Sequence, residues 1–164
     1  MLYNPYPPSE TVLFAKGAIV TGNVTLGNGV SIWYNAVLRG DDGPIVVGDN
    51  TNIQDCAVLH EPTTVGAGCT IGHNAIVHGC TIGDNCLIGM GSIVLNNAII
   101  GNNCIVGAGA VVTGKMNAPD GSMLLGNPAR IVRSLTEAEI QSNIESMQGY
   151  LDAAAQYKKE TPHR

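Results

Sequence analysis

A repeat of six residues constrains the fold of this chain more than any other feature. From residue 47 to residue 77 every sixth residue is aliphatic, namely Val47, Ile53, Leu59, Val65, Ile71 and Val77. A period of six fits neither the 3.6-residue turn of an α-helix nor the two-residue alternation of a simple strand. It is typical of a parallel β-helix, in which each hexad forms one flat side of a three-sided coil. Residues three hexads apart should then be stacked in adjacent coils, about 4.8 Å apart.

These aliphatic positions, which we call ladder residues, continue on both sides of that segment. The others are Phe14, Val20, Leu26, Ile32, Leu38, Ile82, Ile88, Val94, Ile100, Val106 and Val112. One step, from Leu38 to Val47, is longer by half a hexad. The extra residues fall in segment 39–44, whose glycines and proline predict a bulging turn. Another step, from Val77 to Ile82, is one residue short. The ladder predicts about five to six coils.

The limits of the repeat predict the remaining architecture of one domain over residues 1–164. Residues 1–13 have no repeat and should form an N-terminal cap segment, residues 14–113 the coils, and residues 114–133 an exit segment. A C-terminal helix is expected over 134–158, beginning at Thr136 with Glu139 as the second member of a capping box. Its apolar stripe should pack along the outside of the coils, through Ile140, Ile144, Met147, Leu151 and Ala154.

Composition excludes several function classes. The net charge of −5 provides no basic surface for nucleic acid or an anionic membrane. No apolar run approaches the roughly 20 residues that span a bilayer, and the N-terminal segment does not resemble a secretory signal. We therefore expect a soluble, cytoplasmic protein. Cys69, Cys86 and Cys104 each lie four positions after a ladder residue, where other hexads have small side chains. These thiols are interpreted as fillers of the coil interior.

Three histidines form the main candidate site. His60 and His78 are three hexads apart, and each directly follows a ladder residue, so they should be stacked on one face in adjacent coils. His73 follows its ladder residue by two and should lie on the neighbouring face. Three imidazoles leave an open position on a divalent ion, where a bound water ionises near neutral pH. Because the faces differ, the spacing favours a metal site shared between subunits.

Other polar residues concentrate on the same two faces. Arg39 belongs to the face of His60 and His78, one coil below them. Asp55 precedes His73 by three hexads, so these two should be stacked, and Gln54 lies beside them. Charges at an interface need partners. For Arg39 the candidates are Asp41 in its own chain and Asp55 of a neighbouring chain.

The run LRGDDGPIVVGDNTNIQDCAVLH, followed by GHNAIVHGCTIG, resembles the γ-class carbonic anhydrases and related hexapeptide-repeat proteins. The resemblance covers nearly the whole chain. It implies an all-β, left-handed parallel β-helix with a C-terminal α-helix, assembled as a homotrimer. It also implies a shared divalent metal, most often zinc, with iron(II) or cobalt as alternatives. His60 and His78 match the two ligands from one chain, and His73 matches the ligand from the next.

The resemblance further implies an activity and its residues. The reaction would be reversible hydration of CO2 to bicarbonate by metal-bound hydroxide. Arg39, Asp41 and Asp55 match residues of inter-subunit ion pairs, and Asp42 matches an acidic position close to the metal-bound water. Matches to polar residues near that solvent are Gln54 and Asn52. The family's acidic proton-shuttle loop is missing, because the segment between His60 and His73 is short and Glu61 is its sole acid.

Three other functions fit the same sequence. A hexapeptide acyltransferase that uses an acyl-CoA needs one histidine as general base, which leaves the other two unexplained. Another metal-dependent hydrolase, such as a thioesterase, would use the same metal site. A non-catalytic assembly subunit would keep only the trimer and an inherited metal site. The sequence does not identify the native metal, since neutral imidazoles bind zinc, iron and cobalt alike.

Overall fold

The computed structural model describes residues 11–160, which form a three-sided parallel β-helix of about six turns followed by one helix. The expected cap over residues 1–13 lies mostly outside the described residues. The elements are β1 (Leu13–Phe14), β2 (Ile19–Leu26), β3 (Ser31–Ile32), β4 (Val37–Val47), β5 (Asn52–Ile53), β6 (Val58–His60), β7 (Thr63–Val65), β8 (Thr70–Ile71), β9 (Ile76–His78), β10 (Thr81–Ile82), β11 (Leu87–Ile88), β12 (Ile93–Val94), β13 (Ile99–Ile100), β14 (Ile105–Val106), β15 (Val111–Val112), β16 (Asn117–Ala118), β17 (Ser122–Gly126), β18 (Ala129–Ser134) and α1 (Glu137–Glu160).

The strands stack as three faces. The first face has the order β1-β3-β5-β8-β11-β14-β17. The second consists of β6, β9, β12 and β15, and the third of β7, β10, β13 and β16. The long strands β2 and β4 contribute to both of these faces, because β4 pairs with β6 through its first residues and with β7 through its last. A continuous strand therefore turns the corner between the second and third faces.

The register follows the hexad spacing. Leu59 pairs with Val77, and Ile53 with Ile71, each pair being three hexads apart. The short step after Val77 reduces this separation by one, as between Val77 and Val94. Ladder residues from Val20 to Val112 point inward and are almost fully buried, apart from the partly buried Leu26. Their branched side chains fill the narrow interior, and the predicted ladder is confirmed.

The long step inserts a bulge where the sequence predicts one. Along the pair of β2 and β4, Gly22 lies opposite Gly40, but Val24 lies opposite Ile45. Residues 41–44 therefore face a single residue, Asn23. The bulge brings two exposed carboxylates, those of Asp41 and Asp42, to the corner that follows the second face.

The repeat ends later than the predicted boundary at residue 113. Ala118 pairs with Ile100, and Leu124 pairs with Val106, so two further ladder residues follow Val112. The boundary was wrong because the Pro119–Gly121 turn signal marks an ordinary corner of the coil. Stacking stops only when β18 pairs antiparallel with β17.

The C-terminal helix has the predicted capping box. Glu139 N–H donates to Thr136 Oγ1 at 3.3 Å, and Thr136 N–H donates to Glu139 Oε2 at 2.9 Å. Arg133 lies 2.7 Å from Glu139, and its hydrogen bond, together with that of the Thr136 backbone, lowers the pKa of Glu139 to about 2. Within residues 11–160, no helix combines the length and apolar character needed to cross a membrane.

The face that α1 presents to the coils includes most of the predicted stripe, because Ala154 is buried and Ile140, Met147 and Leu151 are partly buried. The prediction was wrong only at Ile144. Ile144 is 41% exposed, whereas Asn143 is 3% exposed. The orientation is set by edge-to-face contacts of Tyr150 and Tyr157 with Trp33, and by two hydrogen bonds from the Asn143 side chain to the carbonyl groups of Asn85 and Cys104. Aromatic packing and a buried amide, rather than aliphatic residues alone, hold the helix on the first face.

The cysteines of the interior are packing residues, as predicted. Cys69, Cys86 and Cys104 are at most 1% exposed. The Sγ atoms of Cys69, Cys86 and Cys104 each accept a backbone N–H from the following coil at 3.4 Å. Cys80 is also buried, and this burial raises its thiol pKa to about 12, against a smaller effect of its hydrogen bond at His78. The Cys80 thiol therefore stays protonated at neutral pH.

Candidate metal centre

Two histidine rings meet on the second face. His60 ends β6 and His78 ends β9, and the two residues are paired in register. Because Leu59 and Val77 point into the coil, the next residue on each strand points out of it. The ring centroids are 5.1 Å apart, and His60 Nδ1 lies 3.2 Å from His78 Nε2. The stacking predicted from the three-hexad spacing is confirmed.

The opposite nitrogen of each ring has an oxygen partner. His78 Nδ1 lies 2.7 Å from Asn96 Oδ1, and since an amide oxygen only accepts, this contact favours the tautomer with the N–H on Nδ1. His60 Nε2 lies 3.2 Å from Asp41 and 3.1 Å from Asp42, which places its N–H on Nε2. These tautomers follow from the partners of the rings. They leave two lone pairs facing each other.

Two facing lone pairs are satisfied by a shared proton or by a metal cation between them. In the neutral tautomers, His60 Nδ1 and His78 Nε2 would repel at their separation of 3.2 Å. Two imidazole nitrogens bound at 2.0–2.1 Å to a tetrahedral zinc ion would be about 3.3 Å apart. Metal-ligating histidines also usually donate their second N–H to a carboxylate or carbonyl oxygen. The pair therefore fits a divalent ion in both spacing and outer partners.

Sequence reasoning did not identify Asn96. It follows His78 by the length of three hexads, but the short step after Val77 puts Leu95, not Asn96, in register with His78. Its amide reaches the ring from the next position along the chain. The three-hexad separation between His78 and Asn96 could have pointed to this contact, although the two residues are not in register.

His73 has the same type of outer partner but lies elsewhere. It follows β8 on the first face, and its Nδ1 lies 2.7 Å from Asp55 Oδ2. The other oxygen of Asp55 accepts the Tyr34 N–H at 3.2 Å. Among the described residues, His73 is in neither group of side chains that could jointly hold an ion. Within one chain, the structure brings together two of the three predicted ligands.

Acidic residues surround the histidine pair. Arg39 forms an ion pair of 2.6 Å with Asp41 in the same chain. Partial burial raises the pKa of Asp41, but hydrogen bonds from Arg39, its own backbone and His60 outweigh this effect and lower it. Glu61 offers a carboxylate within 4.8 Å of the ligand atoms of His60 and His78. The acid that sequence analysis named as the only one between His60 and His73 therefore lies at the site.

Gln54 and Asn52 lie beneath His73 rather than beside the histidine pair. Gln54 is 5% exposed and accepts the His73 N–H at 3.1 Å. Its Nε2 donates to Asn52 Oδ1 at 3.2 Å, and Asn52 donates to Thr70 Oγ1 at 2.9 Å. This chain of buried amides fixes the backbone at His73. In the single chain, both ends of the Gln54 amide are used inside the protein.

Comparisons with known proteins match this chain to a hexapeptide-repeat family and to carbonic anhydrases. Residues 79–114 match the model of the "Bacterial transferase hexapeptide (six repeats)" family. A "Probable carbonic anhydrase" of Methanocaldococcus jannaschii is 50% identical over 147 residues, covering 87% of this chain and 92% of the relative. A "Carbonic anhydrase" of Geobacillus kaustophilus is 41% identical over 154 residues, covering 92% and 85%.

A solved structure has the same fold. The "hexapeptide transferase family protein" from Anaplasma phagocytophilum superposes with a TM-score of 0.88 at 39% sequence identity. The match covers 91% of this chain and 90% of that chain. The similarity thus extends over the coils and the C-terminal region alike.

Proposed function

Because the chain belongs to the family of γ-class carbonic anhydrases and related hexapeptide-repeat proteins, we propose that it catalyses the reversible hydration of CO2 to bicarbonate. The observation that carries this proposal is the pair of facing nitrogens on His60 and His78, 3.2 Å apart. Each ring is oriented by an oxygen partner on its far side.

The proposed ligands are His60 and His78 of one chain and His73 of a neighbouring chain. Zinc suits three imidazoles, and iron(II) or cobalt would bind the same donors. A divalent ion held there would supply the acidity that ionises a water molecule near neutral pH. Asp55 would fix the tautomer of His73 as Asn96 fixes that of His78, because each accepts a ring N–H at 2.7 Å.

An aliphatic column beside the histidines supports a homotrimer. It consists of outward-pointing, half-buried residues in register on the second face: Ile19, Val37, Val58, Ile76, Ile93 and Val111. The equivalent column of the third face is exposed and more polar: Thr25, Val46, Thr64, Thr81, Ile99 and Asn117. Apolar surface is concentrated in the cores of homo-oligomeric interfaces. Cyclic symmetry would then bring His73 of the next chain to each pair, giving three identical sites.

We assign Glu61 as the residue that accepts a proton from the site. Its carboxylate lies near both ring nitrogens, and a positioned carboxylate transfers protons efficiently when it is within reach of the donor. This role would replace the missing acidic loop. Asp42, which lies 3.1 Å from His60 Nε2, would hold that ring and keep its N–H on the outer nitrogen.

Metal analysis and a CO2 hydration assay test the proposal. Protein purified without oxygen should contain about one divalent ion per chain and hydrate CO2. Glu61→Gln should lower kcat by at least about 10-fold, leave kcat/KM nearly unchanged and respond to added imidazole buffer. The matched control, Glu145→Gln on the exposed surface of α1, should behave as the parent. Metal-loaded protein with no measurable hydration would refute the activity.

The main alternative is an acyltransferase that uses an acyl-CoA. It is favoured by the similarity to the hexapeptide transferase family protein, which is 39% identical to this chain. One histidine would serve as its general base, so the reaction would persist after the metal is removed. Acetyl-CoA consumption by chelator-treated protein with an amine acceptor would support this alternative. Hydrolysis of the thioester only in the metal-loaded form would instead indicate a metal-dependent thioesterase.

A further inference from the structure

A cavity lies between the coils and α1. It has a volume of ≈ 530 Å³, which is large enough for a small organic molecule. Trp33 and Tyr34, which follow β3, and Asp55, which follows β5, line it from the coils. Gly149 and Tyr150 line it from α1. The cavity therefore combines aromatic rings with an acidic side chain.

The space exists because α1 has small residues opposite the coils at this point. A Cβ atom added at Gly149 would meet no atom within 4 Å, and Ala153, one helical turn further on, also lines the cavity. On either side of Ala153, Tyr150 and Tyr157 contact Trp33, with ring centroids 5.6 and 6.1 Å apart. These contacts hold the helix on the coils while the small residues leave the space open.

Three aromatic rings form the walls of the cavity. The centroid of Trp33 is 6.3 Å from that of Tyr34 and 5.6 Å from that of Tyr150, and the rings are inclined by 55° and 75°. Rings inclined in this way form a concave surface. The face of an aromatic ring attracts a cation within about 6 Å of its centroid.

The charged side chains of the lining are both carboxylates. They belong to Asp55 and Glu145, and no lysine or arginine is among the described residues that line the cavity. Within its own chain, Asp55 is paired with His73. Burial, together with the charge of Asp55, raises the pKa of Tyr150, as expected where the potential is negative. The cavity therefore favours a positively charged ligand.

The hydrogen bonds of Asp55 narrow the type of cation. Its Oδ1 accepts the Tyr34 N–H at 3.2 Å, and its Oδ2 lies 2.7 Å from His73 Nδ1. Few acceptors remain for the N–H groups of a primary ammonium, which are costly to bury without partners. A quaternary ammonium has no N–H group, and its methyl groups can contact the ring faces directly.

We infer that this cavity binds a small quaternary ammonium compound, with the methyl groups against the three rings and the charge beside Asp55. The site goes beyond the proposed CO2 hydration, which uses no organic cation. It also needs no metal, so it is tested in chelator, where the histidine pair does not contribute.

Calorimetric titration of the full chain with three matched probes tests the inference. Choline carries the quaternary group, 3,3-dimethylbutan-1-ol has the same shape without the charge, and ethanolamine has the charge with N–H groups. Choline should bind saturably and at least about 10-fold more tightly than either analogue. Equal binding of the neutral alcohol would show an apolar cavity only, and equal binding of ethanolamine would show that methyl groups are not recognised. Either result would overturn the inference.

Two kinds of variant locate the probe. Gly149→Leu should fill the cavity and weaken choline binding by at least about 10-fold without changing a charge. Its matched control is Ala155→Leu, which adds the same side chain to an exposed position of α1 that does not line the cavity. Tyr34→Leu should weaken binding similarly, whereas Tyr34→Phe keeps the ring and should retain it. Circular dichroism and thermal melting establish that each variant is folded.

The assembled protein provides a further way to contradict the inference. Arg39 of a neighbouring chain is the competing occupant, because it is a candidate partner of Asp55. If it fills the cavity, choline will bind to Arg39→Gln and not to the parent. The inference fails in that case, and it also fails if neither protein binds choline or if Tyr34→Leu binds it as tightly as Tyr34→Phe.

Discussion

Two corners of the coil use polar residues differently. At the corner after the third face, a glycine is followed by an aspartate or asparagine in Gly48-Asp49, Gly83-Asp84 and Gly101-Asn102. The side-chain oxygens accept backbone N–H groups of the preceding coil at 2.8 Å, as in Asp49 with Asn28 and Asn102 with Asp84. At the corner after the second face, His60 and His78 contact each other and outer side chains.

This difference shows what separates structural from functional polar residues in a repeat. At the corner after the third face, the aspartates and the asparagine hydrogen-bond one coil to the next, so they stabilise the fold. The histidines at the corner after the second face have oxygen partners on their outer nitrogens, and their inner nitrogens face each other at 3.2 Å. The histidines directly follow a ladder residue, whereas the aspartates and the asparagine follow theirs by two. The two groups also differ in the destination of their hydrogen bonds.

The substitution with the largest expected effect is His78→Ala, which should lose the metal. Removing one of three proposed ligands should lower metal affinity by more than about 100-fold. Without metal, the free energy of unfolding of this variant should stay within about 0.5 kcal/mol of that of the parent. Asp84→Ala, at the corner after the third face, should leave metal affinity unchanged and lower the free energy of unfolding. Metal titration and chemical denaturation in chelator measure both quantities, and a His78→Ala protein that retains stoichiometric metal would break the distinction.

Asn96→Ala should weaken metal binding by about 10–100-fold, because the amide holds His78 in the ligating tautomer. Asn102→Ala is the control: it should leave metal affinity unchanged and lower the free energy of unfolding by about 0.5–1.5 kcal/mol through the lost acceptor. Competition with a fluorescent chelator gives the affinities. If the two asparagine variants bind metal equally well, Asn96 has no positioning role.

Gly83→Ala should destabilise the third corner by about 1–3 kcal/mol. A Cβ atom there would lie 2.5 Å from Asn102 Oδ1 and 2.8 Å from the Asn102 nitrogen. Gly149→Ala in α1 meets no atom within 4 Å and should stabilise the protein slightly, since alanine favours a helix. Urea denaturation should give opposite signs for the two substitutions, and a Gly83→Ala protein as stable as the parent would show that the corner tolerates a side chain.

The smallest effect concerns a carboxylate outside both corners. The pKa of Glu139 falls from 4.5 to about 2 through Arg133 and Thr136. Its stabilising contribution is therefore present above pH 4.5 and lost as the pH falls towards about 2. The Tm difference between the parent and Glu139→Gln should follow this window, whereas Glu137→Gln should show a smaller change. A difference that persists at pH 2 would contradict the assignment.

The spacing of residues along the sequence predicted much of the fold and part of the site. The six-residue period located the ladder, and the three-hexad separation stacked His60 on His78. The end of the repeat was missed because Ala118 is a weak ladder residue and Pro119 suggests a break. Asn96 and the buried Asn143 of α1 were missed for a different reason. Asn96 depends on a local register change, and Asn143 depends on hydrogen bonds to carbonyl groups of the coils, which periodicity does not encode.

The site shared between chains is the central claim, and mixed assemblies of His73→Ala and His78→Ala test it most directly. Neither variant alone should bind metal stoichiometrically. In randomly mixed trimers, a complete site needs a His73→Ala chain for the pair and a neighbouring His78→Ala chain for the third ligand, so about a quarter of the sites should recover metal. No recovery in verified mixed trimers would contradict the account.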